Sequence, residues 1–313
     1  MSFTHIYGLC PVYDCNTERN TMRELFKKLR KYEIRIRKAV NNQMQGDYHS
    51  VFKGSGLEFD DVRPYQYGDD VRTIDWNVSA KGHGTFVKTF KEDKEQNVHF
   101  LVDVSASLNI GKPGQQKLDI AKEIAGVLTL SAIKEGSSVG LIAYSDQREL
   151  YIKSGKGADH AYYLINKLFN LSIGSKKTDL GKGLSYILGS IRRRSVIFLI
   201  SDFLDDTYEH HLKALANRHD LVVIHVSDRQ ETKLPSLGII PLEDSETGET
   251  KWVNTSSLSF KKKFLDKNKV NADELNDLCK RNQADYMAVD TNEDFIPKLI
   301  KLFTIRNMST KKA

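Results

Sequence analysis

Three oxygen-bearing side chains, Asp103, Ser105 and Ser107, alternate along the stretch DVSAS. That stretch closes an apolar run, Val98–Val102, broken only by His99. One carboxylate followed by two neutral hydroxyls, with room for water, suits a hard cation, which takes oxygen ligands. A second apolar run, SVIFLI at Ser195–Ile200, ends in Ser201-Asp202-Phe203 and so delivers a second carboxylate. The same residues also suit plainer work, because Ser105, Ser107 and Asn109 are turn and cap formers. A pentapeptide of this kind is a hypothesis until its context agrees.

Short apolar runs flanked by polar residues read as buried strands of a parallel sheet. Gln115–Lys134 is expected to be a helix, with Leu118, Ala121, Ile124, Ala125, Leu128 and Ala132 on one side and Gly136 at its end. Ser138–Tyr144 and Glu149–Lys153 read as strands and Ala158–Phe169 as a helix. Another helix is expected from about Thr178 to Arg194, with Thr178 or Asp179 as its N-cap. Thr207–Arg218 then reads as helix and Leu221–Val226 as strand. This alternation predicts an α/β fold with a doubly wound, mostly parallel sheet flanked by helices. In such sheets ligands bind where loops leave the carboxyl ends of the strands. Asp103 and Asp202 would then converge on one crevice.

The flanks are less regular. Residues 1–21 are expected to be a flexible tail, and Met22–Val40 an amphipathic helix with Leu25, Leu29, Tyr32, Ile36 and Val40 on one stripe. That helix carries eight Lys/Arg against two Glu, an excess equal to the +6 of the whole 313-residue chain. Its basic face could meet anionic lipid or an acidic partner, or be solvated while the stripe packs inward. A broad nucleic-acid-binding face is not implied, since the rest of the chain is balanced. Gly46–Asp93 is dense in Gly, aromatic and charged residues. Gly54–Asp61 and Thr85–Glu92 read as short strands there, and Arg63, Arg72, Asp75 and Trp76 as a salt-bridged cluster around the indole. Past Gln230, Leu234–Val253 reads as irregular or hairpin structure. Ser257–Lys267 and Asn271–Asn282 read as two short helices, Asp285–Val289 as a strand and Phe295–Ile305 as a last helix. The expected division is a tail (1–21), a basic helix with a small β-rich segment (22–95), the α/β domain (96–306, with an insertion about 233–283) and a tail (307–313).

Composition sets outer limits. Hydrophobic residues make up 40% and charged residues 28%, ordinary proportions for a globular protein. No apolar run nears the ~20 residues of a membrane helix, and no signal-peptide pattern opens the chain. A cytoplasmic location is expected. Cys10 and Cys15 are too far apart for a C-x-x-C pair and Cys279 stands alone, so no zinc site is expected.

GSGLEFDDVRPYQYGDDVRTIDWNVSA, then TFVKTFKEDKE, then FLVDVSASL resemble, in order, the MoxR-associated von Willebrand factor A-like proteins of bacteria, catalogued as domain of unknown function 58. The likeness runs from about Met22 through Asp202. It implies a von Willebrand A-like domain whose D-x-S-x-S loop resembles a metal-ion-dependent adhesion site. By that resemblance Asp103, Ser105, Ser107, Thr178 and Asp202 would hold Mg²⁺, and Mn²⁺ could replace it. Lys176 and Lys177 stand where the family often has glycines. The implied function is non-enzymatic binding of a partner's acidic side chain, as an adaptor to a MoxR-type AAA+ ATPase in protein assembly or remodelling.

Two other readings stay in view. A Mg²⁺ phosphohydrolase of haloacid dehalogenase type also begins with an aspartate after a buried strand, and Asp202 and Asp206 have its D-x-x-x-D spacing. Its general acid two residues after the nucleophile would fall on Ser105, which cannot shuttle a proton near neutral pH. Anionic-surface binding through Met22–Val40 has only the basic helix behind it. Gly181-Lys182 does not form a P-loop, so any ATPase would be a separate chain. His210 and His211 lack metal spacing, and the acid pairs Asp60-Asp61, Asp69-Asp70 and Asp205-Asp206 are expected to face solvent.

Overall fold

The computed structural model describes residues 14–43, 55–82, 84–94, 96–112, 114–175, 177–205, 207–228, 238–243 and 250–310. Helix α1 (Asp14–Gln43) comes first, followed by strand β1 (Ser55–Pro64), a one-turn helix α2 (Trp76–Ser79) and strand β2 (Phe86–Lys94). Strand β3 (Asn97–Asp103), a short hairpin of β4 (Gly111–Lys112) and β5 (Gln115–Gln116), and helix α3 (Lys117–Lys134) open the main domain. Strands β6 (Ser138–Tyr144) and β7 (Arg148–Gly155), helices α4 (Ala158–Phe169) and α5 (Leu180–Ser190), and strand β8 (Val196–Ser201) continue it. Helix α6 (Glu209–Arg218), strand β9 (Asp220–Ser227) and a hairpin of β10 (Ile239–Glu243) with β11 (Thr250–Asn254) come next. Helix α7 (Leu258–Arg281), strand β12 (Asp285–Asp290) and helix α8 (Ile296–Thr310) end the described chain.

Six strands form the central sheet in the order β12-β9-β8-β3-β6-β7. Every pairing is parallel except β6 with β7, which follow one another through a tight turn. The expected doubly wound, mostly parallel sheet flanked by helices is thus observed. Side-chain alternation explains both layers. Val98, Phe100 and Val102 of β3 join one apolar cluster with α1, α3, α4 and α8. Leu101 turns the other way, into the cluster covered by α5, α6 and α7. In β8, Val196, Phe198 and Ile200 face the first cluster while Ile197 and Leu199 face the second. Phe100 and Phe198 stack across the two strands with centroids 5.2 Å apart. Both strands are apolar on both faces because both faces are covered.

Helix α1 belongs to this core. Leu29 and Ile36 are buried, and Leu25, Phe26 and Tyr32 pack beside them. Gly126 of α3 permits the approach, since a Cβ there would lie 2.9 Å from Leu29 Cδ1. The helix also answers its charges internally: Lys28 pairs with Glu123 at 2.5 Å, and the buried Glu33 accepts from Lys134 Nζ at 2.6 Å. Arg35 meets Asp294 at 3.0 Å. The apolar stripe is structural, and part of the basic face is spoken for.

Several local expectations are corrected. Residues 14–21, read as tail, are helical; residues 1–13 lie outside the described residues. The segments read as Ser257–Lys267 and Asn271–Asn282 form one continuous helix, α7. The cluster around Trp76 does not form. Arg63 instead clasps Asp69 through two bonds of 2.8 and 2.7 Å, a pairing that holds the Asp69 carboxyl below its usual range. Asp75 caps α2 and faces Lys88 at 3.5 Å, and Trp76 is 71% exposed. Asp69 therefore does not simply face solvent, and neither does Asp205, which accepts the Leu180 N–H at 2.7 Å.

Candidate functional site

Between β3 and β8 the connections diverge to opposite sides of the sheet, so their carboxyl ends form the switch-point crevice where open α/β sheets bind ligands. Asp103 is the last residue of β3 and Ser201 the last of β8. The Asp103 carboxylate is 2% exposed and accepts from the Ser105 N–H at 2.9 Å. Its other oxygen accepts from the Ser201 hydroxyl at 2.6 Å. Burial, and secondarily the nearby Asp202 carboxylate, push the Asp103 pKa up to about 6, against the pull of those hydrogen bonds. Two carboxylates in a dry crevice are an environment that favours a cation.

The loop after Asp103 turns inward. Ser105 and Ser107 are both buried, and their hydroxyl oxygens lie 2.9 Å apart. Adjacent ligands of an octahedral Mg²⁺ with bonds of about 2.1 Å stand about 3 Å apart, so this pair fits two neighbouring coordination positions. The turn-and-cap reading of these serines is only partly met: neither caps α3, whose first turn is closed by Gln116 N–H donating to Asp119 at 3.1 Å.

Thr178 reaches the same edge of the sheet through its neighbours. The Asp179 N–H donates to Ser145 O, just past β6, at 3.2 Å, while the Val104 N–H donates to Tyr144 O at 2.9 Å. Upstream, Glu149 of β7 clamps the loop by accepting from the Gly174 and Ser175 N–H groups at 2.9 and 3.0 Å. Downstream, Asp205 from the loop after β8 accepts the Leu180 N–H at 2.7 Å. Asp179, not Thr178, caps α5 by accepting from Lys182 N–H at 2.9 Å. The Thr178 side chain is half-buried and is left out of the capping role.

Asp202 brings the residue that sequence reasoning missed. Its Oδ2 accepts from Lys117 Nζ at 2.7 Å, and the two side chains are 2% and 0% exposed. Lys117 is the first residue of α3, where the helix dipole disfavours a cation. A lysine opening a helix just downstream of D-x-S-x-S was the available signal. Phe203, next in sequence, sits in the left-handed region at φ 55 while buried, and its N–H donates to Ser201 Oγ at 3.1 Å. A non-glycine residue there stores local strain, a feature that clusters at functional sites. His225 of β9 lies behind, its Nδ1 2.9 Å from the Tyr286 hydroxyl. Burial lowers its pKa to about 4, which makes it a neutral neighbour at pH 7.

Asp103 and Asp202 are therefore side by side, Ser105 and Ser107 are a contacting pair, and the Thr178 loop is tied to the same strand ends. Among the described residues, no three His, Cys, Asp or Glu side chains cluster as a metal cage. The candidate donors are instead two carboxylates and three hydroxyls, a hard-oxygen set. For a phosphohydrolase, Asp103 would have to be an available nucleophile. Both its oxygens accept hydrogen bonds, and the position two residues on is a buried serine.

The family model described as "Protein of unknown function DUF58" matches residues 61–274, well over half the chain, so the chain belongs to that family. An uncharacterized protein of Mycobacterium bovis is 28% identical over 228 residues, covering 72% of each chain. An uncharacterized protein of Mycobacterium tuberculosis matches to the same extent, 28% over 228 residues and 72% of each. Among solved structures, an aerotolerance-related membrane protein from Bacteroides fragilis is similar with 15% identity and a TM-score of 0.46, over 68% of this chain and 99% of that one. The SpRpn10 VWA domain is similar with 13% identity and a TM-score of 0.39, over 67% and 97%. Among the described residues no helix is long and apolar enough to cross a membrane.

Proposed function

We propose that this member of the DUF58 family is a non-enzymatic protein-binding module that takes a divalent cation, Mg²⁺ or Mn²⁺, at the β3–β8 switch point. The observation that carries the reading is the buried Ser105–Ser107 hydroxyl pair, 2.9 Å apart, beside the buried Asp103 carboxylate. Asp103, Ser105, Ser107 and Thr178 would hold the ion, with Asp202 directly or through water. The cation would supply an open coordination position for a carboxylate from a partner protein. The chain's own residues do the positioning: Ser201 and the Ser105 N–H orient Asp103, and Glu149, Asp179 and Asp205 fix the Thr178 loop. Because Lys117 pairs with Asp202 and the hydroxyl donors are neutral, the loaded site would keep positive charge and select an acidic side chain over a basic one.

The partner proposed from the family resemblance is a MoxR-type AAA+ ATPase, with the chain as its adaptor in protein assembly or remodelling. The test is capture of that ATPase, co-expressed from the same organism, by wild type and by Asp103→Asn, each with Mg²⁺ and with EDTA. Retention by wild type in Mg²⁺ alone is expected. Equal retention in all four conditions would overturn the metal-gated reading.

A further inference from the structure

The crevice already contains a cation that belongs to the chain. Lys117 Nζ is fully buried, 2.7 Å from Asp202 Oδ2, and Asp202 directly follows Ser201, whose hydroxyl donates to Asp103 Oδ2 at 2.6 Å. Three charged groups thus share one dry site: two carboxylates and one ammonium. We propose that Lys117 is the resident counter-ion of this site and a positioning residue that sets its affinity for a divalent cation, by tying up Asp202 and leaving one carboxylate, Asp103, uncompensated. The inference rests on the metal-binding reading above and deepens it.

The argument is one of charge. Asp103, Asp202 and Lys117 together carry −1; without the lysine they would carry −2. A divalent ion entering beside Asp103 meets an ammonium that cannot leave, because Lys117 is anchored at both ends. Its backbone N–H donates to Ile110 O at 3.0 Å, and its ammonium donates to Asp202. Interactions between fixed charges a few ångströms apart in a buried site are far stronger than in water, enough to shift affinity well over tenfold. Holding the intrinsic affinity down also keeps the loaded site at net +1, so a partner's carboxylate completes it. A site of net charge zero after loading would have no such preference. Lys117 therefore makes the ion's retention depend on an acidic ligand.

Nothing in the sequence demands a lysine at that point of α3. A helix opening favours acids, and an apolar residue would spare the cost of burying an ammonium. Its presence is explained by what it does to the carboxylates.

The test is Mn²⁺ binding followed by electron paramagnetic resonance, on full-length wild type, Lys117→Met and Lys117→Gln. The charge of the three groups runs −1, −2 and −2 in that order. Both variants are expected to bind Mn²⁺ at least tenfold more tightly than wild type. The Lys117→Met melting temperature should also rise more on adding Mn²⁺ than that of wild type. Should Lys117→Met fail to fold, Lys117→Gln decides: binding within about threefold of wild type overturns the proposal. Binding by wild type and Lys117→Met with equal affinity overturns it too, and leaves the metal-binding reading standing. Binding by Lys117→Met alone supports the lysine's role and removes the metal from the wild-type function. Absence of Mn²⁺ binding in every protein overturns both.

Discussion

Asp202→Ala is a sharp probe of the energetics around the crevice. The substitution removes a carboxylate that is 4% exposed and takes from the fully buried Lys117 ammonium the counter-charge 2.7 Å away. Breaking a buried ion pair from one side typically costs about 3–5 kcal/mol, most of it the penalty of a buried charge without its counter-charge. For a domain of this size that corresponds to a fall in melting temperature on the order of 10 °C. Glu209→Ala is the control, because its pair with Lys213 spans 3.6 Å between side chains that are 63% and 47% exposed. Such a surface pair is worth about 0–1 kcal/mol. Replacing both buried partners, Lys117→Met with Asp202→Leu, should recover most of the loss, since neither charge is then left stranded. Urea and thermal midpoints of the four proteins read this directly. If Asp202→Ala unfolds within about 1 kcal/mol of wild type, the ion pair is not buried as described, and the charge argument for the crevice fails with it.

Two further perturbations test other parts of the account. His99 is 8% exposed, and burial lowers its pKa to about 4 from 6.5, with His219 as a like-charged neighbour. The folded state keeps His99 neutral while the unfolded chain takes up a proton, so stability is full above pH 6.5 and is lost as pH falls toward 4. The loss from this one group is on the order of 3 kcal/mol. His99→Asn should flatten the slope in urea titrations across that window, and an unchanged slope would assign the acid sensitivity elsewhere. Leu29→Ala should cost about 3 kcal/mol, because Leu29 is fully buried against α3 at Gly126. A change below about 1 kcal/mol would mean that α1 is not part of the cooperative core.

The strands were legible because their chemistry is local. β3 and β8 are continuous apolar runs, and both end in a polar residue followed by a turn, so Asp103 and Asp202 could be placed at strand ends without any tertiary knowledge. Helix boundaries were legible only where the apolar period persists. Thr17-Glu18-Arg19-Asn20 shows no apolar stripe, so the first turns of α1 read as tail. The polar run Asp266-Lys267-Asn268-Lys269 interrupts the period inside α7, and one helix read as two. Arg63 pairs with Asp69 across the turn that follows β1, where Asp69 also accepts the Gln66 N–H, in place of an indole-centred cluster. Ser201, Lys117 and His225 entered the crevice from three separate segments. Strand order alone brings them together, and no spacing in the sequence announces it.

Metal binding itself can be measured with no partner present. A Mn²⁺ titration of wild type and Asp103→Asn, followed by paramagnetic resonance and competed with Mg²⁺, tests it at the atom where the site begins. The account predicts one Mn²⁺ per chain in wild type, displaced by Mg²⁺. It predicts at least tenfold weaker binding in Asp103→Asn, which keeps the side-chain shape and the bond from the Ser105 N–H while its NH2 turns to donate to Ser201 Oγ. Equal binding by the two folded proteins, or none by wild type, would contradict it.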